Sequence, residues 1–290
     1  MSRTLQVIIA RTLYGFYLIQ VAFALTCHQC NNGKNEIFNG TVTADNLSPL
    51  TNCTVVKATD GQRHCALGIG WVKTERSLIH VGAAWKREDV VDTDHVETVA
   101  GNLDGPVPTA AITHWLYYLC STDECNRVDR FKLLLQSTKV EFDVDRIAQL
   151  LYSPRPQNGS TLNCLFYSNA TDTSSALCAR PSANISECNY CSLDVKQNTL
   201  CTDCFINPNV SQYRFADIRY HLLGNRTIQQ TLDIDCNLPQ CNTMDYVRRV
   251  QEAYKMSFDF DMFLGSNSSV SNFISTFQLI ICSLMLIFIL

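Results

Sequence analysis

Four cysteines offer the sharpest chance of chemistry in this chain. Cys188-x2-Cys191 is followed, after nine intervening residues, by Cys201-x2-Cys204, and two C-x2-C pairs at such a spacing can hold a tetrahedral zinc ion through four thiolates. The same sulfurs can instead form disulfides, and the redox compartment decides between the two outcomes. Fifteen cysteines occur in 290 residues, far more than a reducing cytosol would hold as thiols. One of them, Cys282, lies in an apolar tail, and the rest divide as six from Cys27 to Cys125 and eight from Cys164 to Cys241. Both sets are even, so the expectation is a disulfide framework and no metal. Six histidines (His28, His64, His80, His95, His114, His221) are scattered, none in H-E-x-x-H or beside a G-x-S-x-G serine, which leaves a metalloprotease or serine hydrolase without a motif. A repeated D-x-D, Asp143/Asp145 and Asp259/Asp261, could ligate a cation, but no further carboxylates follow at calcium-loop spacing and such aspartates more often cap helices. The chain reads as non-enzymatic and without a cofactor.

Those aspartates belong to a longer self-similarity. The segment Cys120–Asp145 superposes without a gap on Cys236–Asp261, 116 residues later; each opens with C-x4-C-N, and Asp129, Lys139 and Phe142 fall on Asp245, Lys255 and Phe258. A repeat of this length signals a duplicated module. Two modest cores are therefore expected rather than one large one.

The ends place the modules in the secretory pathway. Arg3 and Arg11 precede an apolar run from Leu13 to Phe23, and Ala22-Phe23-Ala24 supplies the small residues of a signal-peptidase site, so cleavage is expected after Ala24. At the other end Gly265-Ser266-Asn267-Ser268-Ser269 is followed by a spacer and then by Phe277 to Leu290, apolar to its last residue. Small residues, a spacer and a short apolar tail with no basic stop form the pattern of a glycosylphosphatidylinositol signal. Asn267 is the expected attachment residue, with Ser266 as the alternative. Nine N-x-S/T sequons begin at Asn39, Asn46, Asn52, Asn158, Asn169, Asn184, Asn209, Asn225 and Asn267, against about three expected by chance from the composition. Removing both ends takes away two arginines and no acids, which leaves 21 basic residues against 27 acidic ones; nucleic acid is an unsuitable partner.

Between the ends, Ala66 to Lys73, Ser77 to Val81, Ile112 to Leu119, Tyr213 to Leu222 and Thr227 to Asp233 are rich in branched and aromatic residues, as strands are. Behind each C-x4-C-N the apolar period turns helical, through Val128, Phe131, Leu134 and Leu135 and through Met244, Val247, Val250 and Tyr254. Asp145 has the look of an N-cap for Arg146 to Leu151, and Pro154 and Pro156 open a linker. The expected fold class is a mainly β, small, disulfide-rich chain with two such domains, each followed by a short helix. The expected division is a signal peptide at 1–24, domain 1 at 25–126, a helical segment and linker at 127–162, domain 2 at 163–242, a helical stalk at 243–267 and a removed propeptide at 268–290.

An L-x-C-x-x-C start (Leu25, Cys27, Cys30), a C-x4-C-N finish and a lipid-anchor tail together resemble the three-finger superfamily of lymphocyte antigen six, the urokinase receptor and the snake toxins. The resemblance covers Leu25 to Asn126 and, less cleanly, Cys164 to Asn242. It implies the pairs Cys27–Cys65, Cys30–Cys53, Cys120–Cys125 and Cys236–Cys241. The remaining cysteines depart from the family spacing, because the second C-x-x-C stands late, at Cys188 and Cys191; the pairing expected there is Cys164–Cys178, Cys188–Cys204 and Cys191–Cys201. For function the resemblance implies a cell-surface binding module, tuning a receptor or channel or serving adhesion, whose partner is another membrane protein or a secreted ligand. A structural surface-coat glycoprotein, or a single-pass receptor ectodomain without a lipid anchor, stands as the alternative.

The contact face is sought where sugars are absent and tryptophans present. No sequon falls between Val55 and Gln157, and Trp71, Trp85 and Trp115 all lie there. Tryptophan is enriched among residues that dominate interface energy, and a glycan excludes a partner from its surroundings. Trp115, inside an apolar run, is expected in the core. Trp85, beside Lys86-Arg87-Glu88-Asp89, is expected exposed at a finger tip; it and Trp71 are the binding candidates.

Overall fold

A computed structural model describes residues 25–59, 61–72, 76–85, 94–101, 113–153, 162–169, 188–196, 199–206 and 214–265. The two ends, including the signal and the attachment residues Ser266 and Asn267, lie outside them, as do Cys178, Asn158, Asn184 and Asn209.

The first half contributes β1 (Thr26–Gln29), β2 (Glu36–Asn39), β3 (Thr54–Lys57), β4 (Gln62–Val72), β5 (Arg76–Trp85), β6 (His95–Ala100) and β7 (Thr113–Cys120), then α1 (Val128–Ser137), β8 (Thr138–Phe142) and α2 (Val144–Leu151). The second half contributes β9 (Tyr167–Ser168), β10 (Tyr190–Lys196), β11 (Thr199–Phe205), β12 (Arg214–Leu222) and β13 (Thr227–Cys236), then α3 (Met244–Gln251), β14 (Tyr254–Phe258) and α4 (Phe260–Leu264). The chain is mainly β and disulfide-rich, and is compatible with the three-finger architecture.

The two halves are not separate beads. A ten-stranded sheet runs β2-β5-β4-β7-β6-β12-β13-β10-β11-β9, and β6 of the first half pairs antiparallel with β12 of the second. Read outward from that seam, β6-β7-β4-β5 mirrors β12-β13-β10-β11. The centre of the arrangement is the pair Val99 and Ile218. Above the seam β8 pairs antiparallel with β14, centred on Val140 opposite Met256, positions that the 116-residue repeat already equates. The duplicated modules are thus related by a two-fold axis through both sheets, as in an isologous dimer fused into one chain.

The segments behind the closing disulfides cross this axis. Ile147, Leu150 and Leu151 of α2, which follow the first module, are buried with Leu193, Phe215 and Ile234 of the second. Phe263 of α4, which follows the second module, is buried with Leu67, Ile69 and Leu116 of the first. Residues 243–264 are therefore no stalk: α1 and α3 pack on their own modules, with Phe131 and Leu134 in the first core and Val247 and Val250 in the second, while α2 and α4 complete the opposite cores, because β8 and β14 pair only if both segments pass over the seam. The caps also differ from expectation. Asp143 accepts from Arg146 N and Asp259 from Met262 N, so the first aspartate of each D-x-D caps the helix, two residues before the expected Asp145.

One polar cluster breaks the symmetry. Asp217, fully buried, accepts from Arg219, from Gln230 at 2.9 Å and from the Tyr254 hydroxyl, while Arg219 also donates to Met256 O at 2.9 Å. Burial works against the Arg219 charge, but the Asp217 carboxylate more than offsets it and holds the guanidinium above its usual range. Burial, and then Asp217, push the Tyr254 phenol up as well. The matching positions on β6 are Thr98 and Ala100, which offer no such charges. The cluster ties β12 to β14 within the second half, beside the seam, with its charges paired as burial demands.

Disulfides join Cys27 to Cys65, Cys30 to Cys53, Cys120 to Cys125, Cys188 to Cys204 and Cys236 to Cys241. Cys164 bonds Cys191, which corrects both Cys164–Cys178 and Cys191–Cys201. The reason is register: Cys191 stands opposite Cys236 as Cys65 stands opposite Cys120, so Cys164 repeats the role of Cys27. Cys201 stands opposite Asp194, three residues beyond Cys191, and therefore faces the other side of the sheet. Cys201 is disulfide-bonded too, so all four sulfurs of the candidate zinc site are committed.

The closing motif owes its asparagine to this geometry. Asn126, fully buried, accepts from His28 N at 2.9 Å and donates to His28 O, Ala66 O and Gly82 O at 2.8, 3.1 and 3.2 Å. Asn242, also fully buried, accepts from Leu165 N at 2.9 Å and donates to Leu165 O, Ser192 O and Asp203 O at 2.9, 3.1 and 3.2 Å. Asn126 ties β1, β4 and β5 together, and Asn242 ties β10 and β11 to the segment that leads into β9, in each module where the disulfides gather.

Candidate binding face

The candidate binding face is built on the alternation of β4 and β7. Cys65, Leu67, Ile69 and Trp71 of β4, with Leu116, Tyr118 and Cys120 of β7, point into the first core. Gly68 and Gly70, with Trp115 and Tyr117, must then point to the other face. Register places Tyr117 opposite Gly68 and Trp115 opposite Gly70. A Cβ on Gly70 would stand 2.1 Å from the Trp115 ring and one on Gly68 2.3 Å from the Tyr117 ring, so both rings lie flat on bare backbone. Their planes are within 13° of parallel, with centroids 5.9 Å apart. The result is a half-buried aromatic platform on the outer face of the sheet.

This reverses the tryptophan assignments. Trp71 is 8% exposed, donates its indole N–H to Val42 O at 2.9 Å and stacks on His114 at 4.4 Å; it is a core residue and no anchor. Burial also pulls the His114 imidazole down to about 4. Trp115, expected inside, is the one on the outer face. Trp85 ends β5 opposite Gln62, beyond the pair of Cys65 with Ala83, so its backbone sits at the disulfide end of the hairpin and not at a tip. The missed signal was the G-x-G of Gly68 and Gly70, since glycines inside a strand often mark a close approach by another group.

Along the same face the chemistry changes from aromatic to acidic. Leu78 and His80 of β5 flank the platform, Val99 and Ile218 cross the seam, and Asp194, Asp203, Asp233 and Asp235 occupy the outer positions of β10, β11 and β13. Lys196 and Arg214 share those rows, and Arg214 contacts Asp233 at 2.9 Å. Burial, and then the neighbouring Asp233, push the Asp194 carboxyl up to about 6; burial raises Asp203 as well. Asp194 binds its proton more tightly when folded, so its stabilising contribution is full below the ordinary carboxylate range and is lost as pH rises through about 6. Asp194→Asn is expected to raise the melting temperature at pH 7.5 by roughly 2–4 °C and to leave it unchanged near pH 4. Thermal scans across that range check it.

Among the described sequons, Asn39, Asn46, Asn52, Asn169 and Asn225 are all exposed. At Asn225, in the turn between β12 and β13, Oδ1 accepts from the Thr227 hydroxyl at 2.7 Å and from Thr227 N at 3.3 Å. None of the five lies on the strands that build the platform. Among the described residues no group of histidine, cysteine and acidic side chains is placed to hold a metal ion, and no helix is long and apolar enough to cross a membrane. Neither a protein-family model nor a curated protein matches this sequence.

Proposed function

We propose that this protein is a lipid-anchored, N-glycosylated, non-enzymatic binding module of the cell surface and a divergent two-module member of the three-finger superfamily. Its partner is a membrane protein or secreted ligand that lays an apolar patch on Trp115 and Tyr117 and basic groups on the acidic strands of the second module. The observation that carries this reading is the aromatic pair lying flat on Gly68 and Gly70, on the face opposite the core. A core needs no second aromatic layer on its far side, whereas a partner gains rigid, pre-oriented contact area there. The acidic rows add complementarity to a basic partner, which acts on association rate and specificity more than on final affinity. Anchorage is supported by the tail and by the position of Gly265, immediately after α4 and two residues before Asn267.

Two measurements test the reading. Phosphatidylinositol-specific phospholipase should release the protein from intact expressing cells, since stable anchoring of this kind rests on lipid chains alone; retention, with peptides from Leu279 to Leu290 in the mature protein, overturns the anchor. The released protein should stain a panel of cells saturably. Trp115→Ala with Tyr117→Ala should weaken that staining by about 30-fold or more, the loss of a hot spot of about 2 kcal/mol, with the disulfides intact. Undiminished staining by the double variant removes this face from the function.

A further inference from the structure

We propose that a depression between β8 and α4 is a carbohydrate site, filled in cis by the core of the N-glycan on Asn225. The inference rests on the glycosylated reading above. The depression has a volume of about 470 Å³ and lies where the end of α1 and β8 meet β14 and α4, with Arg226 of the turn between β12 and β13 among its lining residues. Phe258, Phe260 and Met262 give it apolar surface, and Gln136, Ser257 and Lys139 give it hydrogen-bonding groups. A pyranose ring offers the matching chemistry, C–H faces for the apolar surface and hydroxyl and amide groups at its edge for the polar side chains. Exposed apolar side chains collect at the same place. Ile228 stands opposite His221 in register and so shares its face of the sheet, and His221 packs on Phe258 at 4.9 Å and on Phe260 at 6.0 Å. Ile228 is 53% exposed and Met262 48%. Apolar groups left open together, with polar groups around them, mark a contact site.

The duplication supplies an internal control. Shifted by 116 residues, Gln136 and Met262 correspond to Glu252 and Arg146, and Ser257 corresponds to Glu141. In that half Arg146 contacts Glu252 at 3.8 Å and Lys255 contacts Glu141 at 3.5 Å, so charge pairs cover the matching surface. The segment joining β6 to β7, residues 101–112, holds no sequon, whereas Asn225 lies between β12 and β13. The half without the charge pairs is the half with the sequon. Asn225 is one peptide from Arg226, whose guanidinium pairs with Asp261 of α4 at 2.6 Å. Thr227 holds the Asn225 Oδ1, and among the described residues Nδ2, the atom that carries the sugar, has no protein partner. A glycan tethered there has an effective concentration of about millimolar, so a weak site suffices to hold it.

The test is an oxidation footprint on the full-length protein from a secreting cell line, purified in mild detergent. Dilute peroxide is applied, and peptide mass spectrometry reads the rates at Met262 and Met244 together with occupancy at Asn225. The two thioethers are similarly exposed in the polypeptide, at 48% and 54%, and Met244 does not line the depression; oxidation follows exposure. In the wild type Met262 should oxidise about threefold or more slowly than Met244, the protection given by a tethered ligand held at a few times its dissociation constant. Asn225→Gln should bring the two rates together, and the control Asn39→Gln should behave as the wild type. Should Asn225→Gln fail to leave the cell, removing the glycans from the folded wild type with a peptide N-glycosidase replaces it, with the same expected result. Gln136→Glu/Met262→Arg installs the charge pair of the other half at two exposed positions. An endoglycosidase should trim Asn225 about threefold or more slowly in native than in denatured wild type, and at equal rates in that double variant. An Asn225 without sugar in the wild type overturns the glycosylated reading at this site and the proposal with it. An occupied Asn225 whose removal leaves the Met262 rate unchanged overturns the docking alone, as does protection lost equally in Asn39→Gln or kept in the double variant.

Discussion

Replacing Phe263 with Ala is expected to unfold the first module before the second, although Phe263 stands behind the second module in the sequence. The side chain is 1% exposed, meets Tyr118 edge-on at 5.0 Å and lies within 5.9 Å of the Arg130 guanidinium. Deleting a buried aromatic ring costs about 3–5 kcal/mol through lost transfer energy and the cavity left behind, which for a chain of this size lowers the melting temperature on the order of 10 °C. Amide exchange should accelerate in β4 and β7 of the first module and change little in β10 and β13. Ile147→Ala should do the reverse, because Ile147 is buried in the second core. Faster exchange confined to the module that precedes each helix would refute the crossed arrangement.

On the secretory reading proposed above, replacing Asn126 or Asn242 should stop export. In Asn126→Ala three carbonyls and one N–H, gathered from β1, β4 and β5, lose their partner in a site closed to water. An unsatisfied buried polar group costs about 1–3 kcal/mol, so four together cost about 4–12 kcal/mol, comparable to the whole margin of a typical domain. Asn126→Asp should be no milder, since a carboxylate offers no donor to the three carbonyls and brings a buried charge. Asn242→Ala should have the same effect through Leu165, Ser192 and Asp203. Pulse-chase secretion with non-reducing gels checks this, and export of either variant at the wild-type rate would show that the disulfides suffice.

Much of the local structure was legible because it rests on nearest neighbours. The apolar alternation before Cys120 and the helical period after Cys125 are local signals, and they correspond to β7 and α1. The tight C-x4-C spacing marks Cys120–Cys125 and Cys236–Cys241, since five-residue separations leave little choice of partner. The tryptophans were misassigned for the complementary reason. Hydrophobicity along β7 cannot tell which alternate face meets a core when both faces carry large apolar residues. Only the glycines on the neighbouring strand put Trp115 and Tyr117 outside.

By itself the sequence determined a duplicated, mainly β chain with an even set of cysteines between two apolar ends, because repeats, spacing and periodicity are properties of the chain in order. Only the tertiary structure decided that the two modules share one sheet, that each borrows a helix from the other, that Cys164 bonds Cys191, and that Trp71 and Trp115 exchange their expected places. Each of those outcomes depends on which strands lie side by side. Register between segments far apart in sequence is set by burying all faces at once, a condition that no single stretch of residues carries.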